Sequence, residues 1–195
     1  MFSKFCRTVR VSAGNPAFGT PLIGFPEHKN FMSQPHTIGE STLIKINSLD
    51  EMNQFAMFLV EQLKCGDLIL LNGDLGAGKT TLTQFIGKAL GVKRTINSPT
   101  FNIIKSYKGT NLKLHHMDCY RLEDSEEDLG FDEFFEDRAI TVIEWSQFIK
   151  DLLPANYLTI NITTLSETSR EIELIALGEH YEIIKEVIEH EFAAH

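Results

Sequence analysis

A chain of 195 residues with 43% hydrophobic residues and 14 Phe holds apolar material for one core, and is too short for a barrel enzyme with a second domain. Three cysteines, an odd number without CxxC spacing, and no apolar run near the ~18 residues of a membrane span predict a soluble protein of a reduced, cytoplasmic compartment, with no membrane partner. The 27 acidic against 18 basic residues leave a net charge of -9, and no run of Lys or Arg offers a surface for a phosphate backbone, so direct high-affinity binding of nucleic acid is not expected.

Residues 1–40 differ in composition from the rest. Lys4, Arg7 and Arg10 precede the first acidic residue, Glu27, and Pro16, Pro21, Pro26 and Pro35 interrupt any period of 2 or 3.6. The charge suits a transit peptide, but an Arg-rich amphipathic helix is missing. The segment is therefore expected to be an extension, disordered or foreign to the natural chain, with Met32 as an alternative start. The domain proper should occupy residues 41–192.

Met52, Phe55, Ala56, Leu59 and Leu63 mark one face of a helix that follows a Ser48 or Asp50 cap. Asp67 to Asn72 is an apolar run of buried parallel-strand type, a Gly-rich turn follows, and Lys79 to Leu90 reads as a second helix. Phe101 to Tyr107 and Asn111 to Asp118, joined by Lys108-Gly109-Thr110, predict a hairpin. Ala139 to Ile143 is a core strand leading into Glu144-Trp145. Tyr157 to Thr164 and Arg170 to Leu177 alternate as strands, and Glu179 to Phe192 places Tyr181, Ile184, Val187 and Ile188 on one helical face. The expected fold is an α/β three-layer sandwich of the P-loop type, with a mostly parallel central sheet and an antiparallel hairpin portion.

Gly73-Asp74-Leu75-Gly76-Ala77-Gly78-Lys79-Thr80 matches G-x-x-x-x-G-K-[ST], between a predicted strand and helix, where the mechanism of a phosphate loop requires it. The glycines admit backbone conformations closed to side chains, so that successive N–H groups and the positive helix end face an anion. Lys79 is expected to reach the β and γ phosphates of ATP, and the Thr80 hydroxyl to ligate Mg2+.

A second metal ligand should come from a carboxylate leaving a buried strand. Glu144 follows one such run. Asp118 follows another, and is placed to polarise the attacking water or to hold a metal-bound one. Thr100, one connection beyond the phosphate-loop helix, reads either as a switch hydroxyl responding to the γ phosphate or as a simple turn before a strand. His115 and His116 lack partners at ligand spacing and read as satisfied strand histidines.

The ordered set Gly73 to Thr81, Ser98-Pro-Thr-Phe101, His116-Met-Asp-Cys-Tyr-Arg121, Gly130-Phe-Asp-Glu-Phe134 and Ile143-Glu-Trp145 resembles the TsaE (YjeE) family of small bacterial ATPases, over about residues 44 to 190. The resemblance implies an ATPase for threonylcarbamoyl-adenosine modification of tRNA, with TsaD and TsaB proteins as partners. It also implies phosphate contacts from Gly73 to Thr81, magnesium at Thr80 and Glu144, hydrolysis dependent on Asp118, a switch at Thr100 and Trp145 beside the nucleotide. Adenine contacts would lie around Ser48 to Asp50 and Thr168 to Arg170. Gln147 departs from an acidic position common in the family, and residues 1–40 have no counterpart there.

Nine carboxylates fall between Glu123 and Asp137 with no basic residue among them. They read as a solvated acidic loop or as a docking surface for a basic partner. A small P-loop kinase is the first rival function. Its clamp on donor and acceptor phosphates needs several cations, whereas only Arg94, Arg121, Arg138 and Arg170 follow the loop. The second rival is a nucleotide-dependent interaction module with negligible turnover.

Overall fold

The computed structural model describes residues 43–99, 101–123 and 130–192. The expectations for residues 1–40 and for Thr100 lie outside these residues, as does the part of the acidic stretch at 124–129. In chain order the elements are β1 (Leu43–Ile46), α1 (Leu49–Gln62), β2 (Leu68–Asn72), α2 (Lys79–Ala89), β3 (Ile104–Lys108), β4 (Lys113–Asp118), α3 (Phe131–Phe135), β5 (Ala139–Glu144), β6 (Tyr157–Thr164), β7 (Arg170–Leu177) and α4 (Glu179–Phe192). Short 3-10 turns occupy Tyr120–Leu122 and Ser146–Leu152.

The strands form one sheet in the order β1-β7-β6-β2-β5-β4-β3. Its centre, β6-β2-β5-β4, is parallel throughout. The hairpins β3–β4 and β6–β7 add an antiparallel strand on either side, and β1 pairs antiparallel with β7. This is the expected mixed P-loop sheet, with antiparallel pairing at both edges. The physical reason for the parallel centre is burial on both faces: every residue of β5 and the first four of β2 are buried, as continuous apolar runs require.

One face of the sheet carries Ile69, Leu71, Leu114, Ile140 and Val142 against Phe55 and Leu59 of α1, Leu82 and Ile86 of α2, and Ile184 and Ile188 of α4. The other face carries Leu68, Leu70, Met117 and Ile143 against Leu122, Phe131 and Ile149 of the shorter helices. Helix, sheet and helix thus make three layers.

The Ser48 side chain caps α1 by accepting from the Glu51 N–H at 3.1 Å, while Glu51 reaches back to the Asn47 N–H at 2.7 Å. Two orphan amides are satisfied reciprocally. On α4 the buried stripe is Tyr181, Ile184 and Ile188; Val187 lies outside it at 38% exposure. The Tyr181 hydroxyl accepts from the Leu68 N–H at 2.8 Å, and His180 donates to Asp67, so α4 is fastened to the start of β2.

Three local differences from the sequence reading have simple causes. β1 has only four residues, alternating outward and inward with Ile44 and Ile46 buried, too few for a period to stand out. The first hairpin strand begins at Ile104 and not at Phe101, because Asn102 and Ile103 both donate to the Pro99 carbonyl at 2.7 Å and close a turn. Glu144 is the last residue of β5 itself, register partner of Asp118 on β4.

Candidate nucleotide site

At the carboxyl ends of β2, β4 and β5 the chain leaves the sheet, and the residues singled out by spacing meet there. Gly73 (φ 143°), Gly76 (φ 82°) and Gly78 (φ 114°) all have positive φ. A Cβ on Gly73 would collide with the Ile162 carbonyl oxygen, so β6 closes that position to any side chain. Gly78 is the left-handed cap of α2 and supplies no side-chain hydrogen bond to the first turn, whose amides therefore face outward without a side-chain cap. Such a helix start favours an anion.

Lys79 is 5% exposed. Its Nζ donates to the Gly73 carbonyl at 2.6 Å and the Asp74 carbonyl at 2.9 Å, and lies 4.6 Å from the centre of the Trp145 ring. Burial lowers its pKa from the ordinary lysine value, while the charges of Glu144, Asp118 and Asp74 pull the other way. The ammonium is folded back onto its own loop, within reach of the space an incoming phosphate would enter.

The Thr80 hydroxyl donates to Glu144 Oε1 at 3.0 Å. Asp118 and Glu144, buried at 4% and 3% exposure, are adjacent across β4 and β5. Asp118 Oδ2 accepts from the Ser98 hydroxyl at 2.8 Å and Oδ1 from the Tyr120 N–H at 3.2 Å. Together with Gly76, Gly78, Lys79 and Trp145 these residues line a cleft of about 610 Å³. Leu75, at the tip of the loop, is 93% exposed. Among the described residues no three His, Cys, Asp or Glu side chains converge as a metal cage. The oxygens of Thr80 and Glu144 instead make a sparse, hard donor pair, which suits magnesium held chiefly by phosphates and water.

A second cavity, about 690 Å³, lies on the far side of the loop. Its walls include Ser48 to Asp50, Gly76 to Gly78, Thr81, Thr168 and Arg170, so the two segments considered for adenine contacts do meet beside the phosphate loop. Arg170 Nε donates to the Ala77 carbonyl at 2.7 Å and braces the loop from β7. Trp145 adopts a left-handed backbone (φ 61°), uncommon for a bulky residue, and its ring lies 5.2 Å from that of Tyr120.

Of the residues expected at the site, Gly73 to Thr81, Asp118, Glu144, Trp145 and Arg170 are brought together; Thr100 lies outside the described residues. Two further residues engage the carboxylates. Ser98 holds Asp118, and the fully buried His116 contacts Glu144 Oε1 through Nε2 at 2.8 Å. The alternation of a strand carries the signal for His116, since residues two apart share a face and Asp118 stands two further on. Ser98 sits in a loop, where no period applies. Cys119 is a buried free thiol, pushed up to about 12 chiefly by burial, and Cys65 is a partly exposed one.

Comparison with known proteins identifies the chain's relatives. The family described as "Threonylcarbamoyl adenosine biosynthesis protein TsaE" matches residues 46–172. The tRNA threonylcarbamoyladenosine biosynthesis protein TsaE of Bacillus subtilis is 44% identical over 137 residues, 70% of this chain and 87% of the relative. The proteins of the same description from Rickettsia felis and a Nostoc species are 40% and 38% identical, over 68% and 71% of this chain and 79% and 88% of theirs. The crystal structure of Bacillus subtilis YdiB superposes with a TM-score of 0.67 at 33% identity, covering 78% of this chain and 96% of that one. The fold, the phosphate-loop geometry and these matches together establish that the chain belongs to the TsaE family.

Proposed function

We propose that residues 41–192 bind ATP with magnesium and hydrolyse it to ADP and phosphate, slowly alone and faster with TsaB and TsaD proteins, in the threonylcarbamoyl-adenosine modification of tRNA. The observation that carries this reading is the convergence of Gly76, Gly78, Lys79, Thr80, Asp118 and Glu144 on one cleft. The relatives' names supply the pathway.

In this reading the amides of Gly76 to Thr81 bind the β and γ phosphates, and Lys79 exchanges its carbonyl partners on Gly73 and Asp74 for phosphate oxygens. Magnesium, when bound, would supply positive charge that offsets the charge developing on the phosphates. Thr80 and Glu144 would hold it. Asp118, fixed by Ser98, orients the attacking water. Arg170 keeps the loop in shape through the Ala77 carbonyl, and Trp145 packs over Lys79 and limits water access.

The net charge of -9 agrees with a protein that meets tRNA through its partners. Phosphate release measured with and without TsaB and TsaD tests the reading. Stimulation by the pair is expected; absence of release in both conditions contradicts hydrolysis and favours the interaction-module alternative.

A further inference from the structure

Glu144 Oε1 accepts two hydrogen bonds, one from the Thr80 hydroxyl at 3.0 Å and one from His116 Nε2 at 2.8 Å. Oε2 has no hydrogen-bond partner among the described residues, and the residue lines the nucleotide cleft. His116 is fully buried on β4, on the same side of the sheet as Asp118 and two register positions before the Asp118 and Glu144 pair. Its second ring nitrogen, Nδ1, is buried without a partner among the described residues.

That imbalance carries information. A proton on Nδ1 would be a buried donor facing nothing, whereas a proton on Nε2 meets a carboxylate oxygen, so the ring holds its hydrogen on Nε2. A histidine retained only for packing leaves a polar nitrogen stranded in the core for no return. An apolar side chain of similar volume would fill the space without that penalty. The compensation lies at Glu144, whose carboxylate with Thr80 alone could still turn about its last torsion. A second donor on the same oxygen stops that rotation.

We propose that His116 is a positioning residue: its buried Nε2–H pins Glu144 Oε1 and leaves Oε2 as the oxygen presented to the divalent cation. The inference rests on the reading of the cleft as a magnesium-nucleotide site, and it adds a residue outside the metal's own ligand set. Buried donors of this kind orient a ligand before the metal arrives, and their removal weakens metal binding by roughly 10–100-fold.

The test measures affinity of the full chain for a non-hydrolysable ATP analogue by calorimetry, in EDTA and in saturating magnesium. The ratio of the two affinities is the gain that the metal brings. In His116→Leu this gain should fall roughly tenfold or more, while affinity in EDTA stays within about twofold. His116→Gln, whose amide nitrogen falls where Nε2 lies, should recover most of the gain. His116→Asn, whose amide falls at the Nδ1 position, should not. A wild-type gain in a folded His116→Leu overturns the proposal, as does an equal gain in the Gln and Asn variants, and that second contrast decides if the Leu variant does not fold. Absence of analogue uptake by the wild-type chain, or of any magnesium gain there, overturns the nucleotide reading itself and is seen before any variant is compared.

Discussion

Asp118 and Glu144 stand side by side at the carboxyl ends of two parallel strands, paired in register and pointing to the face of the sheet that carries α2. Two buried carboxylates this close repel each other, and each is met by donors: Ser98 and the Tyr120 amide at one, Thr80 and His116 at the other. The Lys79 ammonium adds the positive charge that both carboxylates feel.

Removal of the charges at this junction should therefore cost turnover more than stability. Lys79→Ala and Glu144→Ala are expected to lower phosphate release about 100-fold or more, the scale of losing a preorganised transition-state contact. Asp118→Ala should do the same with analogue affinity largely kept. Wild-type rates in either carboxylate variant would remove that residue from the mechanism.

Gly73→Ala separates loop shape from charge. The added methyl would meet the Ile162 carbonyl and the backbone sits at a φ of 143°, so both the loop and its contact with β6 must shift. Lower thermal stability and analogue affinity at least tenfold weaker are expected. Gly66→Ala, at positive φ with open space around its Cβ, serves as the control that has strain without collision. Equal analogue affinity in the two variants would show that crowding against Ile162 is unimportant.

The edge hairpin gives a pH prediction. His115 is buried between the Ser106 hydroxyl, which donates to Nδ1 at 2.8 Å, and Asp137, which accepts from Nε2 at 3.0 Å; Lys113 and the Phe134 ring also face this cluster. Burial lowers the pKa of His115 despite Asp137, whose own value is held down to about 2, first by Lys113. The folded pKa lies below the unfolded value of about 6.5, so the stability tied to the neutral ring is full above that pH and is lost as pH falls through the folded pKa. The melting-temperature gap between wild type and His115→Gln should be widest near about pH 7.5 and narrower by about 2 °C or more near about pH 5. A gap that widens on acidification would reverse the sign and contradict the account.

Charge reversal within Glu123 to Asp128 tests the docking alternative for the acidic stretch. Binding to TsaB and TsaD should weaken more at low salt than at high salt, because steering between exposed charges is screened within about a Debye length. Unchanged affinity at both salts would leave the stretch a solvated loop.

How much of this was legible in the residues varies with the physics that fixes each part. The phosphate loop was readable because glycine spacing, Lys79 and Thr80 are tied to one backbone shape. β5 and β2 were readable because burial on both faces leaves uninterrupted apolar runs. β1 was not, since its four residues gain their order from pairing with β7, far along the chain. The same holds within the site. Glu144 and Asp118 were visible as strand-end carboxylates, but their proximity depends on the β4–β5 register. His116 read as an ordinary core histidine until that register brought it against Glu144. Long-range pairing, which local pattern does not encode, supplied what was missing.

The central claim is that the amides around Gly78 and Lys79 grip the terminal phosphates of ATP. Calorimetric titration of the folded chain with a non-hydrolysable ATP analogue and magnesium tests it most directly. Saturable uptake of one analogue per chain, abolished in Lys79→Ala, is the predicted result. No uptake by the wild-type chain, even in the presence of TsaB and TsaD, would contradict it.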